Sequence, residues 1–176
     1  MITIISGTNR EEAVSLDISK LYKNLLDNLE AENQIIDLND LPKDFAFSAL
    51  YENSGQNQLF NIYREKMKTS NKFIFIVAEY NGSFPGVLKT FIDGLQFPDT
   101  FQGKKCALVG ISSGVHGGGL ALSHLTDIFN YCGMHVLALK PKLSQINLHF
   151  DRSANQITND LYIELLETQA RDIVNF

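Results

Sequence analysis

The sequence predicts a doubly wound α/β domain, with helices covering both faces of a parallel sheet. Three observations lead there. Short apolar runs of strand length alternate with segments of helical period from Ile2 to Val174. The run Phe73-Ile74-Phe75-Ile76-Val77 is β-branched and aromatic with no polar alternation, the pattern of a strand covered on both faces. That run then passes through a tight polar loop, Ala78 to Gly86, straight into apolar residues at helical spacing. Strand, loop and helix in that order place the loop at the carboxyl edge of the sheet, where open α/β folds bind ligands.

The elements follow in chain order. Met1 to Ile5 is apolar, lacks a basic leader and breaks at Ser6-Gly7, so the first strand is expected at Ile2 to Ser6 and a signal peptide is not. A helix presenting Leu16, Leu21, Leu25 and Leu29 comes next, then a strand near Gln34 to Leu38. Asn39 to Asn57 mixes Pro42, Gly55 and polar residues with Phe45, Phe47 and Tyr51, and reads as a long loop anchored to the core by its aromatics. A helix over about Leu59 to Lys68 precedes the third strand. Past the polar loop, Val87, Leu88, Phe91, Ile92 and Leu95 mark a helix, with Ser83 as its N-cap and Pro85 in its first turn. The fourth strand spans Lys105 to Ile111, a helix about Gly119 to Tyr131, the fifth strand about His135 to Leu139, and the last helix about Asn159 to Val174. Five strands interleaved with helices imply parallel neighbours joined by crossovers.

Composition fits one domain over residues 1–176, since 176 residues with 44% hydrophobic content need no second core. No apolar run is long enough to span a bilayer, and a cytoplasmic protein is expected. A net charge of −5, scattered along the chain, argues against nucleic acid or anionic membrane as partner. Cys106 and Cys132 lie far apart in apolar surroundings and read as buried free thiols. The four histidines, His116, His124, His135 and His149, show no ligand spacing, so no metal site is expected.

Three strand-to-helix loops then share one sheet edge. Ser6-Gly7-Thr8-Asn9-Arg10, continuing to Ser15, sets hydroxyls, an amide and a guanidinium ahead of a helix N-terminus, which suits an anion. The second loop is Glu79 to Ser83. The third, Ser112-Ser113-Gly114-Val115-His116-Gly117-Gly118-Gly119, has glycines that let backbone approach a flat ligand. A capped turn or a flexible connection would produce the first and third patterns as well.

Together these loops resemble the NADPH-dependent FMN reductase family, a flavodoxin-like group that includes azo- and quinone-reductases. Ser6-Gly7-Thr8-Asn9-Arg10 is similar to that family's phosphate loop, and Glu79-Tyr80-Asn81-Gly82-Ser83-Phe84-Pro85-Gly86-Val87-Leu88-Lys89 to its longest motif. The resemblance implies a flavodoxin-like strand order 2-1-3-4-5, FMN as cofactor, NADPH or NADH as co-substrate, and a homodimer or homotetramer. It implies that Thr8 and Arg10, with Ser15 assisting, hold the FMN phosphate, and that Glu79, Tyr80, Asn81 and Gly82 border the isoalloxazine. Ser112, Ser113, Gly114 and Gly117 would approach the ring's other side or the nicotinamide. The implied activity is ping-pong hydride transfer from nicotinamide to FMN and on to free flavin, quinone or azo-type acceptors. The cofactor carries that chemistry, so no catalytic side chain is required. Two positions depart from the pattern. Ala13, preceded by Glu11 and Glu12, stands where the family has a hydroxyl, and Val77-Ala78 where a proline often precedes the glutamate. A non-enzymatic flavin-binding or interaction protein with a degenerate phosphate loop would show the first departure too.

Overall fold

A computed structural model describes all 176 residues, Met1–Phe176. In chain order it holds β1 (Ile2–Ser6), α1 (Val14–Asn28), β2 (Asn33–Asp37), α2 (Phe45–Ser48), α3 (Gln58–Thr69), β3 (Lys72–Ala78), α4 (Gly86–Asp93) and β4 (Lys105–Ile111). These are followed by α5 (Gly119–Tyr131), β5 (His135–Val136), β6 (Lys142–Leu143), α6 (Ile146–His149), β7 (Phe150–Asp151), β8 (Gln156–Ile157) and α7 (Asp160–Asn175). The main sheet runs β2-β1-β3-β4-β5 with every pairing parallel, the order the resemblance implied.

The unbroken apolar character of the central strands has a direct structural cause. Ile5, Phe73, Phe75, Val77, Cys106 and Leu108 face one core, packed under α3, α4 and α5. Their neighbours Ile4, Ile74, Ile76, Ala107 and Val109 face a second core under α1 and α7. Successive strand residues alternate sides, so burial on both faces leaves few polar positions, and the buried Thr3 and Ser6 of β1 are paired with the Ser70 and Ser15 hydroxyls. Asn57 caps α3 by accepting the Phe60 N–H at 3.0 Å, and Asn159 caps α7 by accepting the Tyr162 N–H at 3.3 Å.

Five expectations are corrected. The fifth strand is not continuous: β5 pairs Lys105 and Cys106, and β6 pairs Gly110 and Ile111. Between them the buried Gln169 of α7 inserts its amide, donating to the Leu108 and Leu139 carbonyls at 3.0 and 2.7 Å in place of a strand ladder. Ser83 does not cap α4. Asn81 and Gly82, at φ 52° and 74°, form an Asn-Gly hairpin turn in which Tyr80 and Ser83 exchange both backbone hydrogen bonds. Pro85 takes the cap position. In α1 the buried face is Ser15, Ile18, Ser19, Tyr22 and Leu26; Leu16, Leu21 and Leu25 are half-buried and Leu29 lies past the helix end. Of the long-loop aromatics only Phe45 anchors, stacked on Phe60 at 5.4 Å, while Phe47 and Tyr51 are 85% and 81% exposed. Of the two thiols, Cys106 is buried, which pushes its pKa up to about 12, and Cys132 is only half-buried.

Candidate functional site

The carboxyl ends of β1, β3 and β4 open into a cleft of about 310 Å³. Its walls include Thr8, Arg10 and Ser15 from the first loop, Glu79 and Tyr80 from the second, and Ser112 and Ser113 from the third. Asn81, Gly82, Gly114 and Gly117 lie outside this lining. So seven of the eleven positions named from sequence come together in one concavity.

Hydrogen bonds between loops hold the cleft in shape. The Thr8 and Tyr80 hydroxyls meet at 2.9 Å, tying the first loop to the second. Glu79 Oε2 accepts the Gly118 N–H at 3.0 Å, which ties the second loop to the third and commits part of that carboxylate to the scaffold. Ser112 Oγ accepts the Gly117 N–H at 2.9 Å and donates to the Gly114 carbonyl at 2.8 Å, so its hydroxyl knots its own loop. Gly117 sits where a Cβ would fall 2.8 Å from the Lys142 backbone, so packing on β6 dictates that residue. Beyond the turn tip, Ser83 Oγ and His124 Nδ1 are 2.9 Å apart.

The end of the cleft near α1 presents free backbone donors. No side chain caps α1, whose cap residue is Ala13, and the Val14 and Ser15 N–H groups find no backbone acceptor. Unpaired N–H groups and the helix dipole favour an anion there. Ser15 Oγ lies 3.1 Å from Ser6 Oγ, both hydroxyls being buried. Beyond the three loops and the strand ends that carry them, sequence reasoning missed the wall residues Ile146, Asn147 and Arg152, all from the stretch between β6 and α7. A signal for that stretch was present: Asp151-Arg152-Ser153-Ala154-Asn155 is an Asx-type turn, with Asp151 Oδ1 accepting the Ser153 and Ala154 N–H groups at 2.8 and 3.2 Å.

This donor set fits a phosphorylated flavin. A guanidinium and open helix N–H groups suit a phosphate, and a polar cleft between two loops suits a flat heterocycle. The model of NADPH-dependent FMN reductases matches residues 1–144.

The chain belongs to the NADPH-dependent FMN reductase family.

Within that family it is 32% identical over 114 residues to an NAD(P)H-dependent FMN reductase of Pseudomonas aeruginosa, a match covering 64% of this chain and 57% of that relative. The chain thus spans little more than half the length of that relative. It is 24% identical over 164 residues to a 2-hydroxy-1,4-benzoquinone reductase of a Burkholderia species, covering 90% of this chain and 86% of the other. Among solved structures, the fold is similar to a flavoenzyme NAD(P)H:(acceptor) oxidoreductase from Paracoccus denitrificans. The TM-score is 0.81 at 19% identity, over 99% of this chain and 94% of that one. No helix of the chain is long and apolar enough to cross a membrane.

Proposed function

We propose that this protein is an FMN-dependent NAD(P)H oxidoreductase passing hydride to a small-molecule acceptor of the quinone, azo or free-flavin class. The observation that carries the reading is the joining of three loops into one cleft against an α1 N-terminus that no side chain caps. Family membership and the reductase names of its relatives support it.

In this reading Arg10 and the Val14 and Ser15 N–H groups hold the phosphate, and Thr8, fixed by Tyr80, shapes the turn beside it. Glu79 and Tyr80 border the ring on one side, with Ser112 and Ser113 toward its other side or the nicotinamide, while Asn81, Gly82, Gly114 and Gly117, outside the lining, shape the loops that carry them. When bound, FMN supplies the hydride chemistry. The chain's own part is to bind, orient and exclude water, and no side chain is assigned a catalytic role. A small polar or aromatic acceptor suits the open side of the cleft.

The deciding experiment reconstitutes purified protein with FMN, then measures turnover with NADPH and NADH against quinone, azo and free-flavin acceptors. Yellow protein with turnover supports the reading. Yellow protein with no turnover for any pair would favour a flavin-binding protein without enzymatic activity.

A further inference from the structure

Arg152 carries a role that lies outside the 144 residues matched by the family model. It sits in the turn between β7 and β8, distant in sequence from the first loop, yet it lines the same end of the cleft as Arg10 and Ser15. Its guanidinium is already oriented. Nε and Nη2 both donate to Asp17 Oδ2, at 3.1 and 2.8 Å, and Nη2 also donates to the Glu12 carbonyl at 2.7 Å. Those contacts use Nε and both Nη2 protons and leave the two Nη1 donors without a protein partner.

Two features make this arrangement more than a surface ion pair. Asp17 and the Glu12 carbonyl belong to the start of α1 and the turn before it, so the hairpin is pinned beside the uncapped helix end. Glu12 itself is held at φ 50°, a left-handed backbone conformation that a glutamate rarely adopts. The family's hydroxyl is absent at this point, where the chain has Ala13 instead.

The geometry points to Arg152 as a second phosphate-recognising side chain that makes the cleft selective for a phosphorylated flavin over its dephosphorylated form. This rests on the proposed flavin-binding function. A guanidinium fixed through Nε and Nη2 loses little further side-chain entropy when its Nη1 donors meet a phosphate oxygen, and it opposes the charges of Glu12 and Asp17.

The test compares FMN and riboflavin binding by quenching of flavin fluorescence in the wild-type protein, Arg152→Gln and Arg152→Lys. The expected result is a Kd for FMN raised about tenfold in Arg152→Gln, the scale of one charge-assisted hydrogen bond, with the Kd for riboflavin unchanged. Arg152→Lys should recover part of the loss, because charge returns without the planar fork that meets Asp17, the Glu12 carbonyl and a phosphate together. Melting curves of the apoproteins run alongside. Equal weakening of both flavins with a lowered melting point would overturn the proposal, since Arg152 would then only pin the hairpin. Unchanged binding of both flavins would overturn it as well. Wild-type protein that binds neither flavin would instead remove the proposed function, an outcome distinct from the other two.

Discussion

Arg10 is exposed and anchored only through its backbone, whose N–H donates to Thr8 Oγ1 at 3.3 Å. Its guanidinium is free to follow a ligand, so Arg10→Ala is expected to weaken FMN by about 2 kcal/mol, near the middle of the range for a hydrogen bond to a charged group. Unchanged affinity in a fluorescence titration would place the phosphate elsewhere. A second residue-scale effect concerns Asp37, half-buried at the end of β2. Desolvation raises its pKa above the usual carboxylate value, outweighing the Asn39 and Ser6 hydrogen bonds that lower it. A carboxyl whose folded pKa is raised contributes stability that is present in acid and is lost as pH rises through the folded value. Asp37→Asn should therefore stabilise the protein at pH 7 and lose that advantage below the ordinary carboxylate pKa, about 3.9. Urea denaturation at both pH values checks the sign, and a gain that persists in acid would show that ionisation is not its cause.

At the scale of elements, β4 and the third loop meet backbone to backbone. A Cβ on Gly110 would fall 2.2 Å from the Gly117 carbonyl oxygen and 3.1 Å from Leu122 Cδ1, so only glycine lets the loop close over the strand. Gly110→Ala should cost about 3 kcal/mol, at the upper end for overpacking because a backbone atom must move. A destabilisation below about 1 kcal/mol in urea titration would mean that the loop can lift without penalty. The same contact explains why sequence reading could place the glycines in a loop but not assign them tasks. Gly82 serves an Asn-Gly turn and Gly117 serves packing on β6, two needs that look identical along a chain.

For the whole molecule, the homodimer that the resemblance implies needs an exposed apolar face, and the large apolar residues at α4 do not supply one. Phe91 is fully buried and Leu95 nearly so, both in the core beneath α4, and neither can meet a partner. The exposed apolar groups lie nearby: Phe97 and Tyr131 stack at 6.2 Å, 66% and 82% exposed, on the rim of a groove that Tyr51 also lines. If the protein is a homodimer, this face is the expected interface, because aromatic pairs of this kind rarely remain in water on a monomer. Tyr131→Asp should then convert dimers to monomers in light scattering at micromolar concentration. A monomeric wild-type protein carrying FMN would remove the dimer from the account.

The division between local and tertiary information runs through particular residues. Period and punctuation located β1 and β4 at their observed bounds, and the interior of β3, because burial on both faces leaves a continuous apolar run that needs no partner to be recognised. The second loop was legible for the same local reason, a long motif between a strand and a helix. Contacts across distant parts of the chain leave no such trace. Gln169 breaks the fifth strand from 30 residues beyond Leu139, and Arg152 reaches Asp17 across 135 residues. Neither has a spacing that betrays it. Sequence alone therefore determined the alternation of elements and the loops at the sheet edge, which depend on neighbouring residues. Only the tertiary structure decided which side chains share the cleft, because that follows from how α1, the β7–β8 hairpin and the sheet pack on one another.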